Sequence, residues 1–234
     1  MKLTFPLAAA TVLAFAANLP SQAAEPLPDL SKLVPLLYQG NRADNAASLS
    51  AAVIQMQAGN PVAALTRVVQ NVRRGDIAAR AQLVDWLANG KLNFEPAMAR
   101  NFIDEYTAAA AHGDGFGLLM LGLFGEYGFG PITPDIVKAI GYYERAVGGG
   151  NVWALTRLGL IYETGRPPAI PASLTAAAGW YDRASGVEAE ATAHIVAMYR
   201  SKTPWKGREP RSESDLLALE KRQQDFDAAH PVGP

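Results

Sequence analysis

Four stretches of the sequence align with one another at a spacing of 37 or 38 residues. They are ARAQLVDWLANG (79–90), GLLMLGLFGEYG (117–128), ALTRLGLIYETG (154–165) and ATAHIVAMYRSK (191–202). In each stretch an apolar residue is followed three positions later by a second bulky one, which places both on one face of an α-helix. A single repeat of this size cannot bury its apolar face alone, so the copies must stack on their neighbours. The period therefore predicts a solenoid.

A second helical segment follows each of the first three stretches. Its best-defined position is aromatic, and we assign it to Tyr106, Tyr143 and Trp180. This assignment leaves Ala184 one residue out of step with Ala146, which predicts a one-residue insertion in the third unit. Glycines lie at the ends of both kinds of segment, where they can adopt the left-handed conformation that ends a helix. Each unit is therefore predicted to be a pair of helices joined by glycine-containing turns.

Two glycines, Gly122 and Gly159, stand in the middle of predicted first helices, where glycine weakens a helix. We expect them to face the second helix of their unit and to let two backbones approach. A leucine at Gly159 would then overpack the crossing and destabilise the fold by about 1–3 kcal/mol or more. The same helical phase places Arg157 on the outside, so Arg157→Ala is expected to be nearly silent for folding.

The repeats, assigned to residues 76–202, are flanked by segments of different character. Residues 45–75 show the pattern of a divergent helical hairpin, and residues 24–44 are a proline-rich lead-in with one short helix. Residues 203–234 combine a basic loop, broken by proline and glycine, with a C-terminal helix that begins near Ser212. We expect this last helix to cap the stack.

Residues 1–23 have the features of a secretory signal peptide. Lys2 supplies the positive start, and Leu7–Ala17 is an apolar run too short to span a bilayer. Small residues precede a cleavage site that we place after Ala23. No other run is long and apolar enough to cross a membrane. We therefore expect an exported protein in the bacterial periplasm, with no integral membrane segment after cleavage.

Composition and motifs argue against several kinds of site. The chain has 21 Lys and Arg against 22 Asp and Glu, so it lacks the basic excess of a nucleic-acid-binding protein. It has no cysteine, and its three histidines are scattered, without the HExxH spacing of a metal site. No phosphate-binding loop or GxSxG elbow is present. We predict a non-enzymatic protein with no catalytic, cofactor or metal site.

An alternative to this prediction is an envelope polysaccharide or peptidoglycan hydrolase. Its site would be a cleft that holds two carboxylates about 5–10 Å apart. No sequence motif marks such a pair, so the alternative depends on the tertiary structure.

The pattern L-G-x-x-(Y/F)-x-x-G, a loop, A-x-x-(W/Y)-Y and a small-residue stop resembles the Sel-1-like repeat, a relative of the tetratricopeptide repeat. Residues 121–151 and 158–185 carry the resemblance most fully, and the copy at 79–114 is degraded, with Val84 in place of the first glycine. The resemblance implies an all-α, right-handed superhelical solenoid of helix-turn-helix repeats. It also implies a protein–protein scaffold or adaptor. Exported bacterial members are associated with exopolysaccharide secretion complexes or with periplasmic control of a sensor kinase.

A partner-binding surface is predicted where outward positions of successive first helices line one concave face. These positions are Gln82, Asp85, Asn89, Met120, Glu126, Arg157, Glu163, His194 and Arg200. The surface mixes both signs of charge, which suits a polypeptide better than a polyanion. Two alternatives stay open: the positions are ordinary solvated ones, or the basic loop KTPWKGREPR (202–211) with Trp205 binds the partner instead. The sequence does not define the partner's identity or the oligomeric state.

Overall fold

The structure, a computed structural model, describes residues 42–92, 94–201 and 211–229. These residues form ten α-helices and no β-strand. The helices are α1 (Arg42–Gln57), α2 (Pro61–Arg73), α3 (Ile77–Ala88), α4 (Pro96–Ala111), α5 (Gly115–Tyr127), α6 (Ile136–Gly148), α7 (Val152–Thr164), α8 (Leu174–Ala184), α9 (Ala189–Arg200) and α10 (Glu213–Ala229). The prediction of an all-α, right-handed superhelical solenoid is confirmed. The expected signal peptide, the short lead-in helix and nearly all of the basic loop lie outside the described residues.

The helices pack in the order of the chain. Close hairpins join α1 to α2, α5 to α6 and α7 to α8, and each second helix also packs against the first helix of the next unit. The helix α10 packs on α9. Its start carries a capping box: the Asp215 N–H donates to Ser212 Oγ (3.2 Å), and the Ser212 N–H donates to Asp215 Oδ2 (2.9 Å). The core therefore runs as one continuous apolar layer from α1 to α9.

Each first helix begins at a polar N-cap in an equivalent place. The caps are Asp76, Asp114, Asn151 and Glu188, and each side chain accepts a hydrogen bond from a backbone N–H of the first turn. A glycine precedes each of the first three caps, with φ between 79° and 83°. Such a φ ends the second helix and reverses the chain at little steric cost. Two adjacent residues thus end one repeat and begin the next.

Close packing within a unit depends on a glycine that faces a tyrosine ring. A Cβ placed on Gly122 would lie 2.6 Å from Tyr143 Cδ1, and one on Gly159 would lie 2.5 Å from Tyr181 Cδ1. The close approach predicted for both glycines is therefore present. The aromatic position of the third unit is Tyr181, so our assignment of Trp180 to it was wrong. The extra residue lies before the tyrosine, and Ala184 is then in step with the other repeats.

The helices α3 and α4 form a looser pair than the other hairpins. Val84 occupies the position that glycine holds in the next two units. A cluster of phenylalanine rings fills the space beside α4, with Phe94 and Phe102 packed around Phe129 from the following unit. The degraded copy of the repeat is thus held by aromatic contacts rather than by a close helix crossing.

We predict that Gly159→Ala lowers the free energy of unfolding by about 1–3 kcal/mol, because the new Cβ would overlap the buried ring of Tyr181. The matched control is Gly141→Ala in α6, where a Cβ meets nothing within 4 Å. That variant is expected to gain up to about 1 kcal/mol, since alanine favours the helix. Urea denaturation of both variants measures the difference, and equal midpoints would contradict the close crossing.

Candidate partner-binding surface

Three of the predicted binding positions are buried. Met120, Glu126 and Arg157 have exposed fractions of 0%, 9% and 5%. The helices α5 and α7 are covered on nearly all sides, because each is packed between the second helices of its own and the preceding unit. Our prediction that these three side chains point outward to a concave face was wrong, which removes the reason for expecting Arg157→Ala to be silent.

The Glu126 carboxylate is the centre of a buried polar cluster between repeats. Arg157 from the next first helix donates through Nη2 to both carboxylate oxygens, at 2.7 and 2.8 Å. The Tyr143 hydroxyl donates to Oε2 at 2.7 Å, and Arg166 donates to Oε1 at 3.2 Å. The Arg157 guanidinium also lies 5.6 Å from the centre of the Tyr127 ring. These contacts fix α7 relative to α5 and α6.

Burial and charge act in opposite directions on this cluster. Burial alone would raise the pKa of Glu126, but Arg157, Tyr143 and Arg166 together outweigh burial and hold that pKa below its ordinary value of 4.5. Burial, followed by the charge of Glu126, raises the pKa of the Tyr143 hydroxyl well above 10.0. The carboxylate is therefore ionised and the tyrosine neutral over the physiological range, which is the pairing that stabilises a buried arginine.

The next pair of repeats carries an equivalent cluster. Glu163, Tyr181 and His194 occupy the positions of Glu126, Tyr143 and Arg157, so histidine replaces arginine. The Tyr181 hydroxyl donates to Glu163 Oε2 at 2.7 Å, and His194 Nδ1 lies 3.0 Å from the same oxygen. The imidazole also stacks on the Tyr181 ring with centroids 4.9 Å apart.

The Glu126 and Glu163 clusters differ in solvent exposure, and the first unit has no equivalent cluster. The Glu163 and His194 side chains are about 30% exposed, whereas those of Glu126 and Arg157 are almost fully buried. In the first unit the equivalent positions are Ala88, Tyr106 and Met120, which cannot form an ion pair. The repeat spacing thus identified a recurring set of residues correctly. We predicted that this set binds a partner, whereas in the structure it connects one unit to the next.

A long-range contact that the sequence analysis missed links the first unit to the fourth. Arg80 Nη1 in α3 donates to Glu188 Oε1 at 3.0 Å, and both side chains are buried. The Thr156 hydroxyl donates to the other carboxylate oxygen at 2.6 Å, and the Arg80 guanidinium lies 5.0 Å from the centre of the Trp153 ring. The starts of α3, α7 and α9 therefore meet, and the inner side of the superhelix is filled there. The only sequence signal is glutamate at a cap position that aspartate or asparagine holds in other units.

The remaining predicted residues lie nearer the surface. Asp85 accepts hydrogen bonds from Lys91 (2.7 Å) and Asn89 (2.7 Å), and Gln82 Nε2 lies 3.4 Å from it. The bond from Lys91 lowers the pKa of Asp85. Arg200 instead contacts the last helix.

The exposed Arg200 guanidinium holds α10 on α9. It donates to Glu213 Oε1 at 2.6 Å through Nη2, and to the Glu220 carboxylate at 2.8 and 3.0 Å through Nη1 and Nη2. Its visible role is thus to attach the capping helix, and its predicted role in partner binding stays a prediction.

The described residues also limit other kinds of site. No group of three His, Cys, Asp or Glu side chains among them is placed to hold a metal ion. No helix in the described ranges is both long and apolar enough to cross a bilayer. A cavity of about 310 Å³ between α2 and α4 is lined by one carboxylate, Glu105, together with Arg73 and Tyr106. This cavity therefore lacks the carboxylate pair on which the hydrolase alternative depends.

We predict that Arg157→Ala lowers the free energy of unfolding by about 3–5 kcal/mol, because it leaves the Glu126 carboxylate buried without its main partner. Arg166→Ala is the control, since Arg166 contacts the same carboxylate with a side chain that is 36% exposed. That variant should lose no more than about 1 kcal/mol. Chemical denaturation compares them, and similar losses would show that Arg157 is not the main counter-ion.

We predict that acid weakens the fold through Glu126. The folded-state pKa lies below 4.5, so the ion pair contributes fully above that pH and is lost as the pH falls through the folded value. The free energy of unfolding should therefore decline below about pH 4.5, and it should decline less in Glu126→Gln. Denaturation series between pH 3 and 7 test this, and identical slopes for the two proteins would contradict it.

The Sel1 repeat model matches residues 116–151 and 154–185. A Sel1 repeat protein from Oxalobacter formigenes is similar in structure, with 17% identity, a TM-score of 0.46, and coverage of 78% of this chain and 73% of that one. No curated protein matches the chain.

A second structure is c5321, a protective antigen present in uropathogenic Escherichia coli strains displaying an SLR fold. It has 20% identity and a TM-score of 0.43, with coverage of 77% of this chain and 38% of that one. Sel1 repeats generally mediate protein–protein interaction. The family match falls on α5–α8, the helices that carry the glycine–tyrosine crossings and the Glu126 cluster. The family model thus identifies two Sel1 repeats, at residues 116–151 and 154–185 of this chain.

Proposed function

We propose that this protein is a non-enzymatic scaffold that binds a protein partner in the bacterial periplasm. The observation that carries the proposal is the buried link from Glu126 to Arg157 across two Sel1 repeats. A rigid joint between repeats holds surface side chains at fixed separations, which lowers the entropy lost when a partner binds. The periplasmic location rests on the signal-peptide features of residues 1–23.

For the pathway, we propose two general settings and do not choose between them. Exported relatives of this repeat class suggest two settings: an exopolysaccharide secretion complex, or a complex that regulates the envelope through a membrane sensor. The identity of the captured partner distinguishes between them.

Among the positions predicted from the sequence, the Asp85 cluster at the end of α3 and the Glu163–His194 pair are still open to a partner. Gln82 and Asp85 are half-buried and Asn89 is exposed, and they form a polar group with the exposed Lys91. Glu163 and His194 remain partly accessible beside α9. An interface that includes both groups would extend along several units of the stack.

The location is tested by fractionation of cells that produce the full chain. The protein should appear with periplasmic markers, and its first residue should be Ala24. Recovery in the cytoplasm with residues 1–23 still attached would overturn the periplasmic part of the proposal.

Partner binding is tested by crosslinking pull-downs from envelope extracts with the wild type and Asp85→Lys. The reversal replaces a half-buried acid that pairs with Lys91, and its control is Asp225→Lys, a more exposed acid of α10 that pairs with Lys221. We expect a specific partner whose recovery falls in Asp85→Lys and not in the control. Equal recovery in both variants would exclude the Asp85 cluster, and the absence of any specific partner would overturn the scaffold.

A further inference from the structure

The cavity between α2 and α4 combines buried, largely apolar side chains with exposed, charged ones. Its volume is about 310 Å³, at the small end of the range of about 300–1,000 Å³ that is typical of ligand pockets. Val69 and Tyr106 are buried in its lining and Phe102 is half-buried, whereas Arg73 and Glu105 are exposed. The lining residues of each helix recur at intervals of three and four, so each helix presents one face to the cavity. We call this feature the α2–α4 cavity.

Opposite charges share the α2–α4 cavity without pairing. Arg73 and Glu105 form no ion pair with each other or with another residue in the part of the chain that the structure describes. The Arg73 guanidinium lies 4.4 Å from the centre of the Phe116 ring, and the centre of that ring lies 6.3 Å from the centre of the Tyr106 ring. These contacts hold the guanidinium near the tyrosine. Several arginines of this protein lack a carboxylate partner, so the informative feature is the presence of both signs of charge at one cavity.

The Tyr106 hydroxyl is an independent sign of a ligand. The equivalent tyrosines, Tyr143 and Tyr181, each donate a hydrogen bond of 2.7 Å to a glutamate of their own unit. In the first unit Ala88 occupies the place of that glutamate, and the Tyr106 hydroxyl has no hydrogen-bond partner within the described ranges. Tyr106 is nevertheless only 2% exposed. Buried hydroxyls are normally hydrogen-bonded, so this one is available to an acceptor in the cavity.

The charges that act on the Tyr106 hydroxyl are those of the cavity. Burial raises the pKa of this hydroxyl, the charge of Glu105 raises it further, and the charge of Arg73 lowers it. Because such effects decline with distance, both charges lie near the hydroxyl. Two donors, Arg73 and Tyr106, and one acceptor, Glu105, therefore converge on a small volume, which is the arrangement that orients a ligand.

We propose that the α2–α4 cavity binds a free amino acid with an apolar side chain. The α-carboxylate of the ligand accepts hydrogen bonds from Arg73 and Tyr106, and its α-ammonium group donates to Glu105. The apolar side chain of the ligand lies against Phe102 and Val69. Because the two charges of the cavity are opposite and separate, only a ligand that carries both signs satisfies both. The inference adds a small-molecule site and does not depend on the proposed scaffold function.

Isothermal titration calorimetry of the full chain with L-leucine tests the proposal. We expect saturable binding of one molecule per chain. Isocaproate, which lacks the ammonium group, and isoamylamine, which lacks the carboxylate, should each bind at least about tenfold more weakly. Binding of either analogue as tight as that of leucine would overturn the proposal, and so would the absence of saturable binding up to about 10 mM leucine.

Removal of either charge at the cavity should weaken leucine binding. Arg73→Gln and Glu105→Gln should each raise the Kd about tenfold or more. The matched controls are Arg67→Gln in α2 and Asp104→Asn in α4, which remove exposed charges outside the cavity and should leave the Kd unchanged. A wild-type Kd in the cavity variants would contradict the proposal, as would equal losses in the cavity variants and the controls.

The tyrosine variants separate binding from folding. Tyr106→Phe keeps the ring packed against α5 and removes a hydroxyl that bonds to no described residue. Its Tm should therefore match that of the wild type, while the Kd for leucine rises about fivefold. Tyr143→Phe removes the bond to Glu126, so it should lower the Tm and leave the Kd unchanged. An unchanged Kd in Tyr106→Phe would overturn the proposal, whatever the Tm of that variant.

Leucine binding and partner capture are separate measurements. Leucine binding without a captured partner would support the α2–α4 cavity while the scaffold fails. A captured partner without leucine binding would exclude the cavity while the scaffold stands.

Discussion

The ion pair between Glu126 and Arg157 is the interaction on which the arrangement of the central repeats depends. A carboxylate with almost no solvent exposure is stable only where its charge is balanced and its oxygens are bonded. Here two arginines and a tyrosine from three segments supply those bonds. Because the partners come from α6, α7 and the turn after α7, the carboxylate can be satisfied only when consecutive units are in register. A slip of one unit against the next would leave charges buried and unpaired.

A second buried ion pair, between Arg80 and Glu188, holds the first helices together on the inner side of the superhelix. Glu188 caps α9 and at the same time accepts hydrogen bonds from Arg80 and Thr156, so its side chain joins three first helices. The Arg80 guanidinium over Trp153 fills the adjacent space. The superhelix winds tightly enough here to bring residues 80 and 188 into contact.

Much of the fold could be predicted from the sequence. The spacing of the repeats gave the helix pairs, and the mid-helix positions of Gly122 and Gly159 gave the close crossings, since both follow from local periodicity and from the absence of a side chain. The aromatic position of the third unit was misplaced by one residue, at Trp180 instead of Tyr181. Two adjacent aromatic residues offer the same local pattern, and only the contact with Gly159 distinguishes them.

The candidate site was harder to predict, for a physical reason. The period alone determined that Glu126 and Glu163, and likewise Arg157 and His194, occupy equivalent places in successive units. Whether an equivalent place faces solvent or the next unit depends on how tightly the units wind, and winding is set by contacts such as Arg80–Glu188 between residues far apart in the chain. The sequence by itself determined the repeat, its helices and the members of each recurring set. Only the tertiary structure decided that Met120, Glu126 and Arg157 are buried between repeats, because burial depends on neighbours that local periodicity does not specify.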